Sequence, residues 1–261
     1  MSDDTSEIHR AVIEGKMMTL KALLAEDPKL ALLKDQDSRT PLHWACSFQR
    51  TDMVTVLLNP TAVVKEGIVG SSGNRKSEII QPVPFTIDID DMVDQSGWTP
   101  LHIAASVGNL EILKMLLTHQ PTPNVDQQTS TGQTCLHFAV SKSNYEVTDY
   151  LVKTCKASAR IKDSKGQYAL HRAAAVGSLR MCQILIEVGK SPLNASDIYG
   201  YTPLHHALAE GHGDVAVYLV KNGADPLVQD RDGKTAYQDA LNDKVRRFFK
   251  ISMAKEGVDQ L

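Results

Sequence analysis

The residues of this 261-residue chain best suited to chemistry are nine histidines and four cysteines, Cys46, Cys135, Cys155 and Cys182. A structural or catalytic zinc ion takes such ligands at short, fixed spacings, for instance Cys-x-x-Cys or His-Glu-x-x-His. Neither spacing occurs here, although His205, His206 and His212 are close in sequence. No Gly-x-Ser-x-Gly elbow and no Cys/His pair marks a nucleophile, and no pair of carboxylates stands out from a solvated surface. The segment Gly70-Ser71-Ser72-Gly73-Asn74-Arg75-Lys76-Ser77 superficially resembles a phosphate-binding loop, but the Gly-x-x-x-x-Gly-Lys-Ser spacing is not met. Pro82 and Pro84 also preclude the helix that such a loop must feed. It reads as a flexible loop in which Ser71, Ser72 or Ser77 could be phosphorylated beside Arg75 and Lys76. The sequence therefore predicts no metal, no cofactor and no enzyme activity.

The elements that carry the histidines explain them. Thr-Pro-Leu-His occurs at Thr40 to His43, Thr99 to His102 and Thr202 to His205, with degenerate copies ending at His137 and His171. From His102 the spacings are 35, 34 and 34 residues. Histidines one repeat apart cannot converge on one ion, so each is read as tying the start of its helix to a neighbouring turn. Within a copy, Thr99 caps a helix and Pro100 occupies its first position, where the missing N–H costs nothing. Leu101, Ala104 and Ala105 form its apolar side, and Gly108 ends it in the left-handed conformation. Leu110, Ile112, Leu113, Leu116 and Leu117 then stripe a second helix. Neither helix can bury its apolar side alone, so the units must stack.

A period near 33 residues opened by this tetrapeptide resembles the ankyrin repeat. The implied fold is all-α, a single-domain solenoid of seven helix-turn-helix repeats with β-hairpin fingers. The repeats are expected at about 4–34, 35–93, 94–128, 129–162, 163–196, 197–229 and 230–261. The first is worn into a cap from Ser6-Glu7-Ile8-His9 onward. The seventh ends in a helix reaching about Met253, whose basic side, Lys244, Arg246, Arg247 and Lys250, is read as the solvated face of a cap. His43 and His102 are 59 residues apart, and the excess is assigned to a surface loop inserted at 59–90. Fingers turn at a Gly three residues after an Asp, as in Asp94/Gly97, Asp163/Gly166 and Asp197/Gly200, with Thr129/Gly132 the exception.

Hydrophobic residues make up 42% of the chain and aromatics 5%, as an Ala- and Leu-rich core of short helices requires. No apolar run approaches the roughly 20 residues of a membrane span, and the acidic start is unlike a signal peptide. The expectation is a soluble protein of cytoplasm and nucleus, monomeric by itself, with reduced thiols. The net charge of −3 argues against nucleic acid. Residues 1–100 carry 10 Lys/Arg against 15 Asp/Glu, whereas 141–172 carry seven basic residues against three acidic ones.

With nearly every residue used by the repeats, function falls to the concave surface of finger tips and first helices. The positions not needed for repeat stability are Asp37, Arg39 and Phe48; Gln95, Ser96, Trp98 and Val107; Thr131, Gln133 and Lys142; Lys165, Gln167 and Val176; and Tyr199, Tyr201 and Glu210. Arg, Trp and Tyr are the types that dominate interface energetics. The candidate partner-binding set is Asp37, Arg39, Phe48, Ser96, Trp98, Val107, Lys142, Lys165, Tyr199, Tyr201 and Glu210. Trp98 packing against a neighbouring finger is the other reading of that residue.

Three runs sharpen the resemblance: Asp35 to Ser47, Gly97 to Ser106 and His171-Arg172-Ala173-Ala174-Ala175. They are similar to the gankyrin family, and Leu204 to Asp214 especially to its fungal branch. That resemblance covers nearly the whole chain outside the insertion. It implies a chaperone for assembly of the 26S proteasome regulatory particle. The implied partner is the C-terminal domain of one AAA ATPase subunit of the base, the third of six. Asp37, Arg39, Ser96, Trp98 and Lys142 match the family's contact positions, and the implied mechanism is steric exclusion of premature docking on the proteolytic core. The Leu-x-Cys-x-Glu motif of the animal protein is replaced by His206-Ala207-Leu208-Ala209-Glu210, which counts against retinoblastoma binding. The alternatives are an ankyrin adaptor of another protein, such as a cyclin-dependent kinase inhibitor, or an enzyme built on the 59–90 loop.

Overall fold

Short helices begun by Thr-Pro and ended by Gly are what the repeated segments dictate, and the computed structural model contains them. It describes residues 6–62 and 86–257, and the chain forms two compact units, 1–124 and 125–261. In the first unit lie α1 (Glu7–Glu14), α2 (Met17–Glu26), a 3-10 turn (Pro28–Leu32), α3 (Pro41–Ser47), α4 (Thr51–Leu58), α5 (Pro100–Val107) and α6 (Leu110–Thr118). The first helices α1, α3 and α5 pack on one another in order, and each packs on its own second helix, α2, α4 or α6. The second unit repeats the scheme with α7 (Cys135–Ser141), α8 (Tyr145–Lys153), α9 (Ala169–Ala175), α10 (Leu179–Glu187), α11 (Pro203–Ala209), α12 (Gly213–Lys221) and α13 (Asp243–Lys255). There α9 lies between α7 and α11, α10 between α8 and α12, and α13 closes on α12.

Helices this short are marginal alone in water, so burial must stabilise them. Leu101, Ala104 and Ala105 are buried, as are Ile112, Leu113 and Leu116, and the same pattern recurs at Leu170, Ala173, Ala174 and at Leu204, Ala207, Leu208. Gly108, Gly177 and Gly211 end first helices with φ of 87°, 71° and 88°, but Gln49 and Ser143 take the same left-handed position at 56° and 59°. At those two sites a Cβ is carried where only Gly is comfortable.

Four of the tetrapeptide histidines, His43, His137, His171 and His205, have the tying role read from the sequence. His43 Nδ1 accepts the backbone N–H of Thr40 at 3.0 Å, which leaves the proton on Nε2 to donate to the Trp98 carbonyl at 3.1 Å. His137 reaches the Gln167 carbonyl, His171 that of Ala195 and His205 that of Lys234. His9 in the cap does the same to Arg39 at 3.0 Å.

Three expectations change. The fingers close as tight turns rather than as β-hairpin strands. Asp35, Asp94, Asp163, Asp197 and Asp230 each donate a backbone N–H to the carbonyl four residues on, and among the described residues one isolated bridge, Gln229 to Thr235, is the only β pairing. The insertion is shorter than 59–90: Ile87 and Ile89 are buried in the first unit. His119 donates to the Ile87 carbonyl, and the Asn124 N–H is held by the Asp90 carboxylate at 2.8 Å. Residues 63–85, with the glycines and Ser71, Ser72 and Ser77, lie outside the described residues. The seventh copy has no first helix. Residues 236–239 are turns, Gln238 Oε1 takes the Thr235 N–H where His would, and α13 runs two residues past Met253. Among the described residues no helix is long and apolar enough to cross a membrane.

Candidate functional site

Five of the fingers are built by one carboxylate each. Asp35 Oδ1 accepts the N–H groups of Asp37 (3.0 Å) and Arg39 (2.8 Å). Asp94 does so for Ser96 and Trp98, Asp163 for Lys165 and Gln167, Asp197 for Tyr199 and Tyr201, and Asp230 for Asp232 and Lys234. In the exceptional finger the Thr129 hydroxyl takes the Gln133 N–H. Successive fingers within a unit are also joined by backbone. The Asp37 carbonyl accepts from Gln95, Thr131 from Ser164, Lys165 from Ile198 and Tyr199 from Arg231. Candidate residues are thereby presented from a scaffold whose main chain is already committed.

In three fingers the second oxygen of the Asp follows a rule the sequence reading missed. The residue nine positions on, in the first helix, donates to Oδ2: the Trp44 indole to Asp35 at 2.8 Å, Arg172 to Asp163 at 2.8 Å and His206 to Asp197 at 3.1 Å. A donor from the preceding finger adds to this. Arg39 Nε reaches Asp94 Oδ2 at 3.2 Å, and Gln167 reaches Asp197 Oδ2 at 2.9 Å. Burial pushes the Asp35 carboxyl up, but the bonds from Trp44 and from two N–H groups outweigh it and leave Asp35 below the usual carboxylate range. Asp197 is lowered in the same way, with Gln167 and His206 among its donors. In the last finger the ninth residue is Asp239, an acid where a donor belongs. Burial, and then the facing Asp230, raise the Asp239 carboxyl, and Lys234 Nζ at 3.6 Å offsets this only in part.

In the first unit Arg39 is half-buried, paired with Asp94 and set 5.3 Å over the Trp44 ring. Phe48, 45% exposed, stacks on the Trp44 ring with centroids 6.0 Å apart. Trp44 thus links Arg39 and Phe48, although the sequence reading left it out. Its signal was the spacing from Asp35. Asp37 and Ser96 are exposed at finger tips, and Val107 is half-buried at the end of α5. The half-buried Trp98 ring tilts against its own His102 at 6.4 Å, so it is packed against its helix start as well as presented.

In the second unit Lys142 and Lys165 are exposed, and neither has an ion pair among the described residues. Tyr199 is 55% exposed and lies 6.5 Å from Tyr201, whose ring stacks on His205 and meets His206 edge-on. Glu210 is exposed at the end of α11. Gln167 is not a surface residue. It is buried because its amide serves Asp197.

Burial lowers His9, His137 and His205, and brings His43 and His171 down to about 4, so these five rings are neutral at pH 7. All four cysteines are free thiols. Burial pushes Cys46 and Cys135 far up and Cys182 to about 12, which suits inert core groups. Among the described residues no group of three or more His, Cys, Asp or Glu is placed to hold a metal ion. The arrangement offers aromatic and charged side chains on rigid turns, which is chemistry for binding a protein surface.

Comparison with known proteins agrees with this geometry. A sequence model for three copies of the ankyrin repeat matches residues 73–163 and 150–230, and a second, for many copies, matches 8–58. The probable 26S proteasome regulatory subunit p28 of Saccharomyces cerevisiae is 44% identical over 156 residues, covering 60% of this chain and 58% of that protein. An ankyrin repeat-containing protein of Schizosaccharomyces pombe is 38% identical over 143 residues, 54% of this chain and half of its own length. The rat 26S proteasome non-ATPase regulatory subunit 10 is 48% identical over 52 residues, 20% of this chain and 22% of that protein. These alignments thus span little more than half the length of the two yeast proteins. The ankyrin-repeat domain of Bcl-3 superposes with a TM-score of 0.70 at 23% identity, covering 95% of this chain and all of that one. That likeness concerns the fold alone.

Proposed function

The chain belongs to the ankyrin-repeat family, and we propose that within it this protein is a non-enzymatic assembly chaperone of the 26S proteasome regulatory particle. The 44% identity to yeast p28 carries the reading. The finger residues support it chemically. Lys142 and Lys165 are exposed cations with no ion pair among the described residues, and Tyr199 and Phe48 are exposed aromatics held on turns. The proposed client is the C-terminal domain of a base AAA ATPase subunit, the third of six, gripped by finger tips and first helices. Opposite charge steers such an encounter and sets its register. A bound chaperone would sterically keep the ATPase from the proteolytic core until assembly is complete. The protein is expected to act as a monomer in cytoplasm and nucleus.

The test is affinity capture from cell extract with Lys142→Glu/Tyr199→Ala against the unaltered chain, reading bound proteins by mass spectrometry. Arg39 is a poor choice for reversal, because a carboxylate there would face buried Asp94 and unsettle the fingers. Free regulatory-particle ATPases captured by the parent and lost from the variant are the expected result. Capture of a cyclin-dependent kinase instead, with no ATPase, would overturn the chaperone reading in favour of an adaptor.

A further inference from the structure

A helix packed on one side of a stacked-repeat protein ordinarily turns a polar face outward. Here α13 buries Phe249 and Met253 against α12 but exposes Phe248 by 50% and Ile251 by 52%, beside Leu241 at 60%. Lys244, Arg247, Phe248 and Ile251 follow one another at i, i+3, i+4 and i+7, a single stripe of the helix surface. A groove runs beside this stripe, lined by Gly211, Gly213, Leu241, Val245 and Phe248. Its floor is low because it is made of glycine. A Cβ on Gly213 would meet the Phe248 ring at 2.6 Å, and one on Gly211 would meet Leu241 at 2.9 Å. The cations along the stripe are unlike others nearby. Lys221, Lys234 and Arg246 are all paired with carboxylates, whereas Lys244 and Arg247 are exposed and have no ion pair among the described residues. Glu210 and Asp214 line the same groove.

We propose that this groove is a second docking surface, taking an amphipathic helix of a partner protein whose apolar stripe is edged by acidic residues on the side facing α13. The apolar floor supplies the contact area, and the unpaired cations set the sign of the partner's edge. The carboxylates of Glu210 and Asp214 in the groove lining, and the groove's concavity, suit a helix better than an anionic bilayer. The surface lies at the end of α11 and on α13 rather than on the finger tips, and its existence does not depend on the proposed ATPase client.

A fluorescently labelled helical peptide with a Leu stripe edged by Glu is titrated with the full chain, alongside the same peptide edged by Lys and vesicles of phosphatidylserine and phosphatidylcholine. Saturable binding of the Glu peptide is expected, weakened about tenfold or more by Lys244→Glu/Arg247→Glu and by Phe248→Ser/Ile251→Ser. Lys142→Glu should leave it unchanged. The reversed charges are all exposed, so that variant keeps the test valid should the apolar one misfold. No binding of the Glu peptide, equal binding of the Lys peptide, or binding only to vesicles would overturn the proposal.

Discussion

Acid should unfold this protein through its neutral histidines before its carboxylates protonate. His43 is the sharpest case, with its ring buried, Nδ1 accepting from Thr40 and Nε2 donating to Trp98. Its value falls from 6.5 in an open chain to about 4 in the fold, chiefly through burial. Because the unfolded state binds the proton more tightly, stability rises with pH across this window. It is lost as pH falls through 6.5 and levels off near 4. At about 1.4 kcal/mol per decade the ring's full contribution is bounded by about 3 kcal/mol, of which about 2 kcal/mol disappears between about pH 7 and about pH 5. Both tryptophans, Trp44 and Trp98, lie in the first unit with His43, so tryptophan fluorescence during urea unfolding reports that unit alone. In His43→Gln the amide does not titrate. The variant should be weaker at pH 7 yet lose about 2 kcal/mol less on acidification. If it loses as much as the parent, the buried ring does not set the acid sensitivity and the assignment of a neutral Nε2–H histidine fails.

Further predictions concern the terminal finger, the strained turns and the thiols. Asp239→Asn should raise stability by about 1 kcal/mol at neutral pH, by giving Asp230 a donor in place of a facing acid. The gain should shrink on acidification, because the raised Asp239 carboxyl then protonates by itself, and urea titrations at both pH values would expose an opposite trend. Ser143→Gly should stabilise by roughly 0.5–1 kcal/mol, since φ there is 59°, and an unchanged thermal midpoint would refute the strain. Gly200→Ala should cost more than about 2 kcal/mol, because its φ is +87° and the new Cβ would meet the Arg231 nitrogen at 2.7 Å. Gly233→Ala, similar in φ but with open space, should cost about 1 kcal/mol, so equal losses in calorimetry would contradict the contact. A thiol reagent should modify Cys155 first and reach Cys46, Cys135 and Cys182 only on unfolding, since those three are buried; a fast second thiol would show the cores to be open.

Much of this protein is decided by local chemistry and is therefore legible in the sequence. A Thr-Pro start, a small-residue first helix, a Gly stop and an apolar second helix are properties of contiguous residues, so helix positions, the stacking requirement and the tying histidines could all be read from a period of 34 or 35 residues. The exposed finger residues Tyr199 and Lys165 were legible for the same reason, as positions the repeat does not use. What depended on groups distant in the chain was decided only by the tertiary structure. Ile87 and Ile89 look like part of a loop until His119, 32 residues on, is found bound to the Ile87 carbonyl. Gln167 looks like surface until Asp197 is placed against its amide. Arg39 reads as a contact residue, yet Asp94, 55 residues away, already holds it. The outer face of α13 was read by its charges as solvated, and only packing on α12 revealed which of Phe248 and Phe249 goes inside: burial is a property of what lies opposite, and a lone helix sequence does not carry it.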